Sequence, residues 1–182
     1  ETYSVAWADY DNDGYLDLAA GNYNNQVNRI YRNNGNGSMV SIWNSREAEK
    51  TYAVAWADYD NDGDLDIVVS GYDSSPARYT RIYRNNNNGF SGFANLTGLA
   101  LSGVAWGDYD NDGWPDLYVS FRGQPNILFH NEGPQSPDKS PQGAWKFKNV
   151  AVAAGVTEPV FSFPAWFFDF DNDGWLDIFA CG

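Results

Sequence analysis

Four short acidic segments recur along the 182-residue chain, and each has the composition of a metal-binding loop. The hexapeptide DYDNDG occurs at residues 9–14, 58–63 and 108–113, and DFDNDG occurs at residues 169–174. Each segment continues into the pattern D-x-D-x-D-G-x-x-D, in which alternate side chains of a curled loop turn toward one point and the Gly permits the sharp turn. Carboxylates this close repel one another, so the pattern indicates that a cation binds among them.

The number and type of oxygen ligands in these loops favour calcium. Ca²⁺ accepts about 6–8 oxygen ligands in flexible geometry, whereas Mg²⁺ prefers fewer protein ligands and keeps several waters. The seventh loop residue varies freely, so we expect it to contribute its backbone carbonyl. With one Ca²⁺ per loop, and so about four in all, the predicted metal ligands are Asp9, Asp11, Asp13, Tyr15, Asp17, Asp58, Asp60, Asp62, Asp64, Asp66, Asp108, Asp110, Asp112, Trp114, Asp116, Asp169, Asp171, Asp173, Trp175 and Asp177.

Two other interpretations fit these loops less well. Asp-Asn-Asp-Gly runs form turns without any metal, but four runs that each carry a further Asp three residues past the Gly favour metal binding. An EF-hand requires a bidentate Glu at the twelfth loop position and two flanking helices. The chain has Ala or Val at that position and no convincing helical periodicity around the loops.

The acidic segments belong to longer repeats of about 50 residues, the length of one four-stranded propeller blade. A tryptophan precedes each loop, at positions 7, 56, 106 and 166, and is interpreted as a core or inter-blade packing residue. A second motif follows the first three loops, as NRIYRNNGNG, TRIYRNNNNG and NILFHNEG. The apolar segments beside each loop and the RIYR-like motif predict three strands per blade, and SIW, GFANL and KFKNV predict the fourth. The Pro-rich segment 134–143 is predicted to be a surface loop.

The spacing, the D-x-D-x-D-G-x-x-D loops after VAW and the NRIYRNNGNG turns resemble FG-GAP/VCBS repeats, which build the integrin-α-like β-propeller. The chain is more similar to bacterial-type VCBS repeats found beside ASPIC/UnbV domains. The resemblance implies an all-β fold of four-stranded antiparallel β-propeller blades, with one Ca²⁺ in the loop between the first two strands of each blade. We expect a single propeller region over residues 1–182, with repeats at approximately 1–50, 51–100, 101–156 and 157–182, the last incomplete. Three full repeats and half of a fourth predict part of a larger, about seven-bladed propeller, or one completed by assembly.

Composition excludes several classes of protein. The formal charge of −13, with 11 Lys and Arg in total, argues against a nucleic-acid partner. No apolar run is long enough to span a membrane. Cys181 is the only cysteine, so no internal disulfide can form. Hydrophobic and aromatic contents of 43% and 17% favour a folded core over disorder.

Few residues outside the loops suggest a separate activity. His130 aligns with Arg32 and Arg84 of the other repeats, so it is interpreted as a repeat position rather than a catalytic base. We therefore expect no enzymatic activity. Aromatic residues just beyond the second strands mark where a binding loop could lie, at Tyr23, Tyr72 and Phe121, and N-glycosylation triplets begin at Asn36 and Asn95.

These observations predict a non-catalytic, calcium-binding extracellular or cell-surface module for adhesion or for protein or glycan binding. One alternative is a structural subunit of an extracellular filament or surface appendage, in which open strand edges pair with neighbouring chains. Another alternative is an accessory propeller of a polysaccharide-acting enzyme. Size in solution would separate the first two, because a filament subunit forms open-ended polymers.

Overall fold

The computed structural model describes residues 1–46, 48, 50–72, 78–86, 89–97, 103–135 and 145–182, in which regular structure is almost entirely β. The strands and one short helix, in chain order, are β1 (Thr2–Ala8), β2 (Asp17–Asn22), β3 (Arg29–Asn33), β4 (Met39–Asn44), β5 (Lys50–Ala57), β6 (Asp66–Tyr72), β7 (Arg78–Asn85), β8 (Phe90–Thr97), β9 (Gly103–Gly107), β10 (Asp116–Ser120), β11 (Ile127–Pro134), β12 (Trp145–Asn149), α1 (Ala151–Ala154), β13 (Ala165–Phe168) and β14 (Asp177–Ala180).

The strands form separate antiparallel sheets in which chain neighbours pair. Three sheets have four strands, in the orders β1-β2-β3-β4, β5-β6-β7-β8 and β12-β11-β10-β9, and β13 pairs with β14 in a fourth. The prediction of an all-β fold is confirmed, and so are the fourth strands at β4, β8 and β12. Four-stranded antiparallel meanders of this kind are consistent with propeller blades. The predicted surface loop at 134–143 lies largely outside the described residues.

The helix α1 was not expected from the sequence. It is a single turn that ends at Gly155, whose φ of 73° is left-handed, and Ala151 at its start is 1% exposed. Ala151 packs with Tyr118 and Leu128. Four residues are too few to show a helical period, and tertiary packing stabilises such a turn. Within the described part of the chain no helix has the length and apolar character needed to cross a membrane.

The chain divides into two compact units, of which the first comprises Glu1–Ala57 and Asp64–Leu101. It contains the sheets β1–β4 and β5–β8, and its core includes Ile30, Val54 and Val69. The two sheets meet where the Val54 N–H donates to Ser4 Oγ and the Trp56 Nε1–H donates to the carbonyl of Ala6, both at 3.1 Å. The inner strands of consecutive repeats therefore contact each other directly.

One loop aromatic ties these two sheets together. Tyr10, from the loop after β1, is 2% exposed and lies 6.1 Å from the Trp56 ring and 5.7 Å from the Phe90 ring, both in the next sheet. Its carbonyl accepts a hydrogen bond from Asn85 Nδ2 at 3.4 Å. Burial raises the pKa of the Tyr10 phenol to about 12. The first acidic loop thus contributes an apolar anchor to the sheet that follows.

The second unit comprises Asp58–Gly63 and Ser102–Gly182. Tyr59 repeats the arrangement of Tyr10, because its buried ring lies 6.5 Å from Trp106 and 5.3 Å from Trp145 of the sheet β9–β12. Its carbonyl accepts a hydrogen bond from Asn131 Nδ2 at 2.9 Å. In the same unit, β13 packs against β9.

Two of the recurring tryptophans are covered by an aromatic residue from an acidic loop. Trp56 and Trp106 stack on Tyr10 and Tyr59. Trp7 and Trp166 are 56% and 44% exposed. The prediction that all four tryptophans are packing residues is therefore wrong for Trp7 in the described structure, whereas Trp166 stacks on Phe179 of its own hairpin at 4.5 Å and stays partly exposed.

Candidate metal centres in the acidic loops

The backbone of each acidic loop explains its Asn and Gly. The asparagines of the hexapeptides have left-handed φ values of 51–62°, and the glycines that follow two residues later have φ values of 89–93°. Asn tolerates the left-handed region better than most residues, and Gly adopts it without steric cost. The residues concerned are Asn12, Gly14, Asn61, Gly63, Asn111, Gly113, Asn172 and Gly174. Alternation of these conformations curls the chain, so that the intervening carboxylates converge.

The first Asp of each loop closes the curl. Asp9 Oδ1 accepts the N–H of Asp13 at 3.0 Å, and Asp9 Oδ2 accepts the N–H of Gly14 at 2.9 Å. The same pair of bonds recurs, at 2.9–3.1 Å, on Asp58, Asp108 and Asp169. These carboxylates therefore have a structural role in holding the loop, in addition to any lone pairs that remain for an ion.

The last Asp of each loop anchors it to the sheet. Asp17 is fully buried, and its oxygens accept the N–H groups of Asn33 at 2.7 Å and Tyr10 at 3.2 Å. In the third loop Asp116 accepts the corresponding N–H groups, from Asn131 at 2.8 Å and Tyr109 at 3.0 Å. Burial raises the pKa of Asp116 to about 6, although these N–H groups act in the opposite direction. In the other two loops, Asp66 accepts the Asn85 N–H and Asp177 accepts the Phe170 N–H.

The second Asp of the pattern differs from the first and the last. Asp11 and Asp110, two residues after the first Asp, each have a buried Oδ1 to which no hydrogen bond is made. Burial, and then the charge of Asp13, raises the pKa of Asp11. A buried carboxylate oxygen without a partner is costly, and a cation within the loop removes that cost. These oxygens are the strongest indication that the loops accommodate an ion.

The carboxylates of each loop lie close enough together to hold a metal ion. Each group below offers ligand atoms within 4.8 Å of one another. The groups are Asp9, Asp11 and Asp13; Asp58, Asp60 and Asp62; Asp108, Asp110 and Asp112; Asp169, Asp171 and Asp177; and Asp110, Asp116 and His130. The assignment of all twenty residues as metal ligands stays a prediction, and the groups do not include Asp17, Asp66, Asp173 or the carbonyl positions Tyr15, Asp64, Trp114 and Trp175.

His130 is the residue that sequence reasoning underestimated. Its side chain is 20% exposed and lies within the third loop's carboxylates, with Nδ1 3.1 Å from Asp116 Oδ1 and 3.4 Å from Asp110 Oδ2. Alignment with arginines of other repeats indicated a repeat position, which is correct. Its proximity to the loop is a structural finding, and the aligned Arg32 of the first repeat likewise lies near enough to its loop to lower the pKa of Asp11.

Two substitutions in the first loop are expected to distinguish an Asp that binds metal from an Asp that holds the loop to the sheet. Asp11→Asn should abolish one metal site while leaving the metal-free chain no less stable, because it removes a negative charge that partial burial and the neighbouring Asp13 disfavour. Asp17→Ala should lower the free energy of unfolding of the metal-free chain by about 2–3 kcal/mol, because two N–H groups lose their acceptor. Urea unfolding in chelator, together with metal counting, measures both effects.

The matched comparison uses the third loop, where Asp110→Asn and Asp116→Ala repeat the pair of changes. Equal destabilisation by the Asn and Ala variants in chelator would contradict the separate roles. Retention of every bound ion by Asp11→Asn would contradict its assignment as a ligand.

Comparison with known proteins places these loops in a family. No curated protein matches the chain. Two consecutive matches to the FG-GAP-like repeat family cover residues 9–69 and 68–119, a span that includes the first three acidic loops and the sheets between them. The resemblance inferred from the loop pattern is thereby confirmed. The chain belongs to the FG-GAP-like repeat family.

Proposed function

We propose that this chain is a non-catalytic, calcium-binding extracellular module that serves adhesion or the binding of a protein or glycan. The observation that carries the calcium assignment is the buried, unbonded Oδ1 of Asp11 and Asp110, each inside a ring of carboxylates. Hard oxygen ligands in flexible loops suit Ca²⁺. Four divalent cations would also offset more than half of the formal charge of −13.

The proposed role of calcium is to fix the repeats. Each loop connects the first two strands of a sheet, and Tyr10 and Tyr59 extend from their loops into the aromatic residues of the following sheet. An ion that orders the loop also orders this tyrosine. The extracellular location is part of the same proposal, and it is supported by the weak calcium sites of other extracellular modules, whose dissociation constants of about 10⁻⁴–10⁻³ M suit calcium-rich surroundings.

A tyrosine cluster in the first unit is the proposed ligand surface. Tyr3 and Tyr23 stack at 4.3 Å, Tyr23 contacts Tyr52 at 5.6 Å, and Tyr52 contacts Tyr72 at 6.0 Å. Lys50 lies 5.7 Å above the Tyr23 ring. These residues lie at the end of the first two hairpins away from the acidic loops, since Thr2 pairs with Asn22 there and Ala8 pairs with Asp17 at the loop.

Aromatic rings beside cationic side chains can stack on sugars or on apolar parts of a peptide. Tyr3 is 54% exposed, so its ring is available for such contact. A glycan array probed with the calcium-loaded chain and with Tyr3→Ala tests this surface. Binding that Tyr3→Ala abolishes would support it, and binding that Tyr3→Ala leaves unchanged would exclude this face.

Calcium titration by calorimetry, with native mass spectrometry to count ions, tests the metal assignment. We expect about four ions per chain. Asp11→Asn and Asp110→Asn should each lose one ion, and Asn36→Ala, outside every loop, should lose none. A chain that binds no calcium at millimolar concentration would overturn the proposed function.

A structural subunit of an extracellular filament is the second candidate, and one exposed face favours it. Val5 and Trp7 on β1 are both 56% exposed and point to the same side of the strand, which is where Trp56 of the next repeat receives a loop aromatic. Association between copies would cover them. Light scattering with calcium present distinguishes the candidates: Trp7→Ser should disperse polymers if they form, and a monomer at all concentrations excludes a filament.

A further inference from the structure

The third acidic loop has an imidazole beside it, where the first two repeats have an arginine in the aligned position. His130 is the only histidine of the chain. It follows Phe129, which pairs with Leu117, just as Arg32 follows Tyr31, which pairs with Leu18. The two side chains therefore occupy the same position relative to their loops. An arginine has no lone pair to offer a metal, whereas a neutral imidazole has one.

The imidazole is placed among carboxylate oxygens at distances that suit a small cation. Nδ1 lies 3.1 Å from Asp116 Oδ1 and 3.4 Å from Asp110 Oδ2. Ligand atoms bound at about 2.0–2.1 Å are about 3.0 Å apart at adjacent octahedral positions and about 3.4 Å apart in a tetrahedron. The two separations from Nδ1 are therefore compatible with a first-row transition-metal site, and all three ligand atoms lie within 4.8 Å of one another.

We propose that His130 Nδ1, Asp110 and Asp116 bind a divalent transition-metal ion of the Zn²⁺ or Co²⁺ class in the third repeat. Imidazole suits such ions, whereas Ca²⁺ takes oxygen ligands. Two protein carboxylates and one nitrogen leave positions for water, since the site is partly exposed.

Two further features prepare the ligands. Asp110 Oδ1 is buried and accepts no hydrogen bond, so this carboxylate gains a partner when an ion binds. The carboxylate of Asp116 is fixed by the N–H groups of Asn131 and Tyr109, at 2.8 and 3.0 Å. Hydrogen bonds of this kind orient a ligand before the metal arrives and raise metal affinity.

The first loop shows why the site is specific to the third repeat. Asp17 accepts the same two N–H groups as Asp116. The residue across from it is Arg32, whose guanidinium donates to Asn34 Oδ1 and contributes a positive charge near Asp11. The positive charge of Arg32 repels a cation, and the guanidinium offers no nitrogen lone pair as a ligand.

The inference rests on the proposed metal-binding role of the third loop, because Asp110 and Asp116 serve both ions. Zinc and calcium would therefore compete at the third loop. The two proposals can still be tested independently, because calcium binding is measured for the proposed function and zinc binding for this inference.

The experiment uses the whole chain in a Cys181→Ser background, so that the free thiol does not bind zinc. Zinc is titrated by calorimetry into chelator-treated protein. Long-range proton–nitrogen NMR follows the imidazole, which gives a single set of signals because the chain has one histidine. One equivalent of zinc should shift the Nδ1 resonance, and His130→Gln should lower zinc affinity about 10–100-fold.

Arg32→Gln, the equivalent change in the first loop, is the matched control and should leave zinc affinity unchanged. Circular dichroism should show that both variants fold. Imidazole signals that do not move at one equivalent of zinc, or equal zinc affinity of His130→Gln and the parent chain, would overturn the inference. A chain that binds four calcium ions but no zinc at His130 would overturn this inference and leave the proposed function intact. A chain that binds zinc at His130 but no calcium would overturn the proposed function and leave this inference intact.

Discussion

Chelation is expected to lower the free energy of unfolding of this chain by roughly 2–6 kcal/mol relative to millimolar calcium. Sites with dissociation constants of ~10⁻⁴–10⁻³ M each contribute ~0.4–1.4 kcal/mol by mass action, and about four act together. The buried Oδ1 atoms of Asp11 and Asp110 contribute to this dependence, because without an ion they have no hydrogen-bond partner. The total free energy of unfolding of a typical domain is only ~5–15 kcal/mol, so the expected loss is a large fraction of it.

Thermal melting with and without chelator measures this effect. A change of that size corresponds to a shift of about 5–20 °C for a domain of this length. Magnesium at the same concentration should restore much less of the loss, because it dehydrates reluctantly and demands near-octahedral geometry. An identical melting curve in chelator and in calcium would show that the loops do not depend on metal.

The position of the acidic loops could be predicted from sequence because their information is local. The left-handed Asn12 and the Gly14 with φ of 89° are required by the curl itself, and the alternation of Asp follows from it. Strand pairing could be predicted for the same reason, since each hairpin joins chain neighbours. The family assignment depended on these local features and is confirmed.

The different roles of the aspartates within one loop could not be predicted from local sequence. Asp11 and Asp17 look equivalent in the sequence, but Asp17 is held by N–H groups of Asn33 and Tyr10, whereas Asp11 Oδ1 has no hydrogen bond. The difference arises from the third strand, which the chain reaches only after the loop and β2. His130 was misjudged for the same reason, because its alignment with arginines says nothing of its distance from Asp116.

Burial of the tryptophans was also beyond sequence reasoning. Trp7 and Trp56 have the same neighbours in the chain, yet Trp7 is 56% exposed while Trp56 stacks on Tyr10. The repeat period locates a packing position but not the residue that covers it. For Trp56 that residue is Tyr10, the aromatic inside the preceding acidic loop.

The importance of this loop aromatic leads to the largest single-residue effect expected. Tyr10→Ala should lower the free energy of unfolding by about 3–5 kcal/mol, the usual cost of truncating a buried aromatic. The ring is 2% exposed and contacts Trp56 and Phe90. The backbone contacts of residue 10, with Asp17 and Asn85, do not require its side chain. Urea unfolding in saturating calcium isolates the packing contribution.

Phe170→Ala is the matched control, because Phe170 occupies the same position in the fourth loop. Its N–H donates to Asp177 as that of Tyr10 does to Asp17, but its ring is 68% exposed. The expected loss for Phe170→Ala is below about 1 kcal/mol. Tyr10→Phe, which keeps the ring, should also be tolerated. Equal losses for Tyr10→Ala and Phe170→Ala would mean that the aromatic acts within its own loop, and a large loss confined to Tyr10→Ala establishes that it acts on the next sheet.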